Sequence, residues 1–363
     1  MDAPVARPPL FSRAALLVFA LVTSLAMIFV TWCWRDWQWT PTLPLPAVLV
    51  TLAVVLPIGE FIRHRFKLSL RAMLILLTLL GIGLGLFGAR WNKARLQRIA
   101  SENVRMLASS GGYVDVSYDR SSDFGDDYVR TPTGWIVPMW FVNLLGEDFF
   151  FEVMDVAIQD VDLSKPAALD GVQLDSFTQI YFHGCTFGPE AIETLASYKQ
   201  LSDLSLCNCG IADEDLEKIA QLPNLKRLNL FTFQRYANPN QIGLSGLREI
   251  AKLKTLTQIE LVNLSLNGTW LEPLSTLSAL EHLDVSQNKQ ITTDDAKRIV
   301  EALPNLKSVH FQATGVNEEI VPFLRSRDKL EWATVTPSSP EVGKRLTSEL
   351  ADDPQKMPVI SFR

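Results

Sequence analysis

The stretch "LSDLSLCNCGIADEDLEKIAQLPN", Leu201–Asn224, places aliphatic or thiol side chains at Leu201, Leu204, Leu206, Cys209 and Ile211. A short run with apolar residues every third position follows, at Leu216, Ile219 and Leu222. Written as L-x-x-L-x-L-x-x-C-x-I, the first half recurs from Val153, Phe177, Leu225, Leu256, Leu280 and Leu306, with a frayed copy at Leu330. The steps between starts are 24, 24, 24, 31, 24, 26 and 24 residues. The second half recurs too: Ile192, Leu195 and Tyr198 after Phe177, and Leu271, Leu274 and Leu277 after Leu256. After Leu225 the same offsets reach Leu247, Ile250 and Leu253 once a 7-residue insertion is allowed.

A fixed period of this length with this spacing is the leucine-rich-repeat signature. The first half alternates as a short strand does, and apolar spacing of three marks one face of a short helix. Acids at the start of "DEDLEKI" suit the positive end of the helix macrodipole. One such unit cannot hide its apolar stripe alone, so neighbours stack and share a continuous core. The sequence therefore predicts an α/β solenoid over 153–335, with a parallel concave sheet and helices on the convex side. The run "GWIVPMWFVNLLGEDFFFEV", 134–153, stands where an N-terminal cap is needed. Residues 90–152 are expected to form a basic helix and this small cap, and 336–363 a polar tail.

Upstream the character changes. The chain has 363 residues and a net charge of -6, but residues 1–100 hold 11 of the 34 Lys/Arg and 3 of the 40 Asp/Glu. The rest therefore carries 23 basic against 37 acidic residues. An acidic body lacks the clustered Lys/Arg that phosphate binding requires, which excludes nucleic acid as the expected partner. Three apolar runs, at about 14–34, 43–62 and 70–89, approach the length that spans a bilayer. They predict an all-α transmembrane region before the solenoid. The first lacks the small-residue cleavage site of a signal peptide. The basic loop "RHRFKLSLR", 63–71, favours placing it in the cytoplasm and the repeats outside. The expectation is a multi-pass protein of the cytoplasmic membrane, its repeat domain extracytoplasmic. A repeat domain on the cytoplasmic side, acting as an adaptor, is the alternative. A transporter or enzyme in the spans is disfavoured, because the apolar cores of the spans carry no ionisable residue.

Three linking segments carry a family resemblance. These are "FKLSLRAMLILLTLLGIGLGL" (66–86), "NKARLQRIASENVRMLASSGGYVDVSYD" (92–119) and "WFVNLLGEDFFFEV" (140–153). Together with the repeats, they make the chain resemble a family of bacterial membrane-anchored leucine-rich-repeat proteins. Members of that family have one span, so this chain departs from the pattern. The resemblance implies a membrane-tethered binding scaffold and transfers no activity, cofactor or site residue.

On such a sheet the residues between the leucines face outward and form rows across the strands. The middle row reads Ala157, Tyr181, Ser205, Asn229, Glu260, Asp284, His310. Its neighbours include Asp203, Arg227 and His282 on one side, and His183, Cys207 and Phe231 on the other. A polar face with Tyr181 and Phe231 exposed on it suits a protein or envelope-polymer partner. The expected contact residues are Tyr181, His183, Arg227, Asn229, Phe231, Glu260, Asp284 and His310. The insertion adds Arg235 and Tyr236, residue types common in binding hot spots. His282, Asp284 and His310 are too few and too open for a metal site. Cys185 and Cys209 hold the same repeat position, about 5 Å apart by strand spacing, so a disulfide is an open option. No nucleotide, hydrolase or metalloprotease motif is present, and no cofactor is implied.

Overall fold

The computed structural model describes residues 70–118, 128–131, 136–166, 168–169, 172, 177–233, 238–351 and 358–362. The chain divides into two units, Met1–Trp91 and Asn92–Arg363. The division falls within helix α1, Leu70–Met106.

The transmembrane expectation is corrected here. The first two apolar runs lie outside the described residues. The third falls within α1, which continues through Arg90, Lys93, Arg95 and Arg98 without a break. Among the described residues no helix is long and apolar enough to cross a membrane. The all-α transmembrane region, the multi-pass membrane location and the integral membrane contact are not retained.

After α1, β1 (Tyr113–Tyr118) leads to a small hairpin of β2 (Tyr128–Arg130) and β3 (Ile136–Pro138). Two short helices follow, α2 (Met139–Leu145) and α3 (Glu147–Phe150). Val129, Val137, Val142 and Phe151 form a core of their own in this cap. The buried Asp148 ties it to α1, accepting hydrogen bonds from Tyr118 Oη at 2.9 Å and Arg98 Nε at 3.2 Å. Burial, reinforced by the Asp148 carboxylate, pushes the Tyr118 phenol up to about 12. β1 then pairs antiparallel with the first repeat strand, β4 (Val153–Gln159). Gly112 is required at this junction: a Cβ there would stand 2.5 Å from the Gln159 carbonyl oxygen.

The repeats now run in order. β5 (Asp162–Leu163) closes the first; β6 (Gln179–His183), β7 (Thr186–Phe187) and α4 (Pro189–Ala196) make the second. β8 (Asp203–Cys207) with α5 (Asp213–Ile219), and β9 (Arg227–Phe231) with α6 (Leu244–Ile250), follow. β10 (Gln258–Val262) is followed by a 3₁₀ helix, Gly268–Thr276, instead of an α-helix. Pro273 within it has no N–H to donate, and apolar spacing of three fits the 3.0 residues per turn of a 3₁₀ helix. β11 (His282–Asp284) with α7 (Thr293–Ala302), then β12 (Ser308–Phe311) with α8 (Val321–Arg325), continue the stack. β13 (Trp332–Val335), α9 (Pro340–Ala351) and β14 (Val359–Phe362) end it.

Ten of these strands form one sheet in the order β1-β4-β6-β8-β9-β10-β11-β12-β13-β14, parallel from β4 onward. Leu204, Leu228, Ile259 and Leu283 are register partners on consecutive strands, and each is 0–1 % exposed. Together with the helix positions Ile192, Leu195, Leu216, Ile219, Leu247, Ile250, Leu271 and Leu274 they make one continuous core. At about 25 cal/mol per Å² of apolar surface, this stripe is the main source of stability. The C-terminal stretch is more than a polar tail. α9 and β14 add another helix and strand, with Ile360 opposite Ala333 and buried, so the chain covers the end of its own core.

A backbone feature repeats as well. Asp160, Gly184, Asn208, Asn263, Gln287 and Ala313 all have φ between 52° and 65°. Each is the eighth residue of its repeat, where the strand turns its corner. The eighth residue is missing from the series at Thr232, where the insertion begins, and at Pro337 in the frayed last copy.

Candidate functional site

The open face of the sheet is built by that register. Ala157, Tyr181, Ser205, Asn229, Glu260, Asp284, His310 and Thr334 are successive partners across eight strands. Beside them run Gln179, Asp203, Arg227, Gln258, His282, Ser308 and Trp332. On the other side, Gln159, His183, Cys207, Phe231 and Val262 form the third row. Of the expected contact residues, Tyr181, His183, Arg227, Asn229, Phe231, Glu260, Asp284 and His310 therefore share one surface. Arg235 and Tyr236 lie outside the described residues.

Most polar groups on this face are already engaged with one another. Arg227 forms an ion pair with the buried Asp203. Tyr181 donates to Gln179 Oε1 at 3.2 Å, and burial raises its phenol, helped by Asp155. Gln258 Nε2 donates to Glu260 Oε1 at 2.6 Å. Burial nevertheless raises the Glu260 carboxyl, with Asp284 adding to the effect and the Gln258 bond opposing it. The two His310 ring nitrogens lie 2.8 Å from Ser308 Oγ and 3.0 Å from Thr334 Oγ1. Asp284, Ser286, His310, Gln312, Trp332 and Thr334 line a shallow recess of about 230 Å³. Among the described residues no group of three or more His, Cys, Asp or Glu is arranged to hold a metal ion.

The insertion shapes the most apolar part of the face. In the Leu280 repeat, position nine is Asn288. Its Oδ1 accepts from Leu264 N and Leu266 N, both at 3.0 Å, and its Nδ2 donates to Leu261 O and Val285 O at 2.7 and 2.9 Å. In the Leu225 repeat the equivalent bonds come from Asn240. Its Oδ1 accepts from Cys209 N and Ile211 N at 3.1 and 3.0 Å, and its Nδ2 donates to Leu206 O and Phe231 O. Seven added residues have moved position nine from Phe233 to Asn240. Phe233 is left 45 % exposed, its backbone N–H and carbonyl both held by Asn208 at 2.7 and 2.9 Å. Its ring stacks on Phe231 at 6.2 Å and meets His183 edge-on at 6.5 Å. Sequence reasoning missed Phe233. The signal was present in Phe231-Thr-Phe immediately before the extra residues, where the ninth position reads as aromatic instead of Cys or Asn.

Cys185 and Cys209 are not joined: both are free buried thiols, as is Cys207. Each occupies position nine and points its sulfur at the preceding repeat. Cys185 Sγ lies 3.4 Å from Ile158 O, and Cys209 Sγ lies 3.3 Å from Cys207 O and 3.6 Å from Phe182 O. Burial pushes the Cys185 thiol up to about 11 and Cys209 higher still.

Register, buried leucines and the ninth-position hydrogen bonds define a leucine-rich-repeat architecture. No family model matches the chain. Among solved structures, a chain of the Toll–Spatzle complex from Drosophila is 16 % identical, with 51 % of this chain matched to 27 % of that one at a TM-score of 0.33. An internalin from Listeria monocytogenes is 16 % identical over 47 % of this chain and 64 % of its own, at a TM-score of 0.27. The chain thus spans under two thirds of either. Likeness at this level transfers neither partner nor activity.

Proposed function

We propose that this chain is a non-catalytic scaffold that binds a protein partner across the open face of its sheet. The observation that carries this reading is the aromatic group of His183, Phe231 and Phe233, held out of the core beside a polar row in fixed register. Exposed aromatics on a rigid surface are what a binding face requires, because little side-chain freedom is lost when a partner docks. The reading keeps the binding role implied by the family resemblance and leaves the membrane tether aside.

The test is site-specific photo-crosslinking. A crosslinker replacing Tyr181 or Asn229 captures a partner, whereas one replacing Glu217, exposed on α5, does not. Adding Phe231→Ala removes the adduct. Equal capture from Glu217, or adducts that survive Phe231→Ala, would overturn the proposal.

A further inference from the structure

Among the described residues, the surface beside the aromatic shelf holds more carboxylates than Lys or Arg. In the three rows of the open face the only Lys or Arg is Arg227, and Asp203 already pairs with it. Glu260 and Asp284 stand opposite each other in register, two carboxylates with no Lys or Arg between them. Asn229 is the register partner of Glu260 on the other side. Two neighbouring carboxylates in a row, with an amide beside them, call for a cationic donor. Phe231, two residues beyond Asn229 and directly opposite Val262, brings the aromatic pair to about 7–8 Å diagonally from Glu260. That is within the reach of one long side chain.

We propose that the open face takes a basic segment of a partner protein, with an arginine laid along the Phe231–Phe233 shelf and its guanidinium donating to Glu260. This rests on the reading of the open face as a protein-binding surface and names the chemistry of what it binds. Arginine suits the site better than lysine. Its planar fork stacks on an aromatic ring and offers several donors at once, where an ammonium is a compact, strongly hydrated point charge. Asp284, one strand further, extends the acidic row to a second basic residue of the same segment. Closing the complex would also relieve the repulsion between Glu260 and Asp284.

The experiment uses the full chain on an array of nine-residue peptides in which one central position is varied through Arg, Lys, Gln and Glu beside a fixed Phe or Leu. The expected order is Arg, then Lys, then Gln, with Glu weakest and about tenfold below Arg. Glu260→Gln abolishes the preference for Arg over Gln, and Phe233→Ala weakens Arg peptides about fivefold more than Lys peptides. Melting curves for both variants confirm that each still folds. Peptides that bind with no charge preference, or an Arg preference unchanged in Glu260→Gln, overturn this inference and leave the protein-binding reading standing. An array on which nothing binds, together with photo-crosslinks arising equally from Glu217, removes both.

Discussion

Asn288→Ala is the sharpest perturbation of the repeat stack. The side chain is fully buried and bridges two repeats. Its loss strips a hydrogen-bond acceptor from Leu264 N and Leu266 N, and a donor from Leu261 O, Val285 O and Ser286 O. An unsatisfied buried group costs about 1–3 kcal/mol, and a water entering the space left by the amide recovers part of it. Taking the low end for the two N–H groups and less for the carbonyls gives a destabilisation of about 3–4 kcal/mol. Asn288→Cys restores a donor of the kind that Cys185 uses toward Ile158 O and is expected to cost about half as much. Urea unfolding followed by far-UV circular dichroism measures both, with the slope checked for change because stacked repeats lose cooperativity when an interface weakens. An Asn288→Ala variant within about 1 kcal/mol of the parent at unchanged slope would refute the bridging role.

Other consequences follow from single residues. Glu260 has its folded pKa raised, so it favours folding below the unfolded carboxylate pKa and loses that contribution as pH rises through the folded value. Glu260→Gln should therefore raise stability at pH 7, with the gain disappearing near pH 4, as read from denaturation midpoints across that range. Ala313 holds a left-handed φ of 54° that costs an alanine about 1 kcal/mol, so Ala313→Gly is expected to raise stability by about 0.5 kcal/mol in the same assay. Cys185, Cys207 and Cys209 are buried thiols with raised pKa, and should resist a disulfide reagent at pH 8 until denaturant is added.

The repeat core was legible in the sequence because burial imposes a period: every leucine used to find the units sits in the core. The outward rows were equally legible, since a parallel register aligns residues 24 apart automatically. What escaped was set by local hydrogen bonding, which leaves a weaker trace. Asn240 looks like any loop asparagine until its bonds match those of Asn288, and only then does Phe233 emerge as a displaced ninth residue. The last strand was hidden because "VISF" is short and follows a polar helix. The apolar run at 70–89 was read as a span from composition alone; the structure places it in one helix that continues through basic residues to Met106, and among the described residues no helix is long and apolar enough to cross a membrane.

The register of the open face is the claim on which the site, the shelf and the acidic row all depend. Pulsed electron-spin resonance on a Cys33→Ser background, with label pairs at Tyr181/His310, Ser205/His310 and Asn229/His310, measures it directly. The strand order predicts five, four and three steps, and so separations falling from about 24 Å by about 5 Å each. Distances that do not shorten in that order would contradict the stacked sheet and everything built on its face.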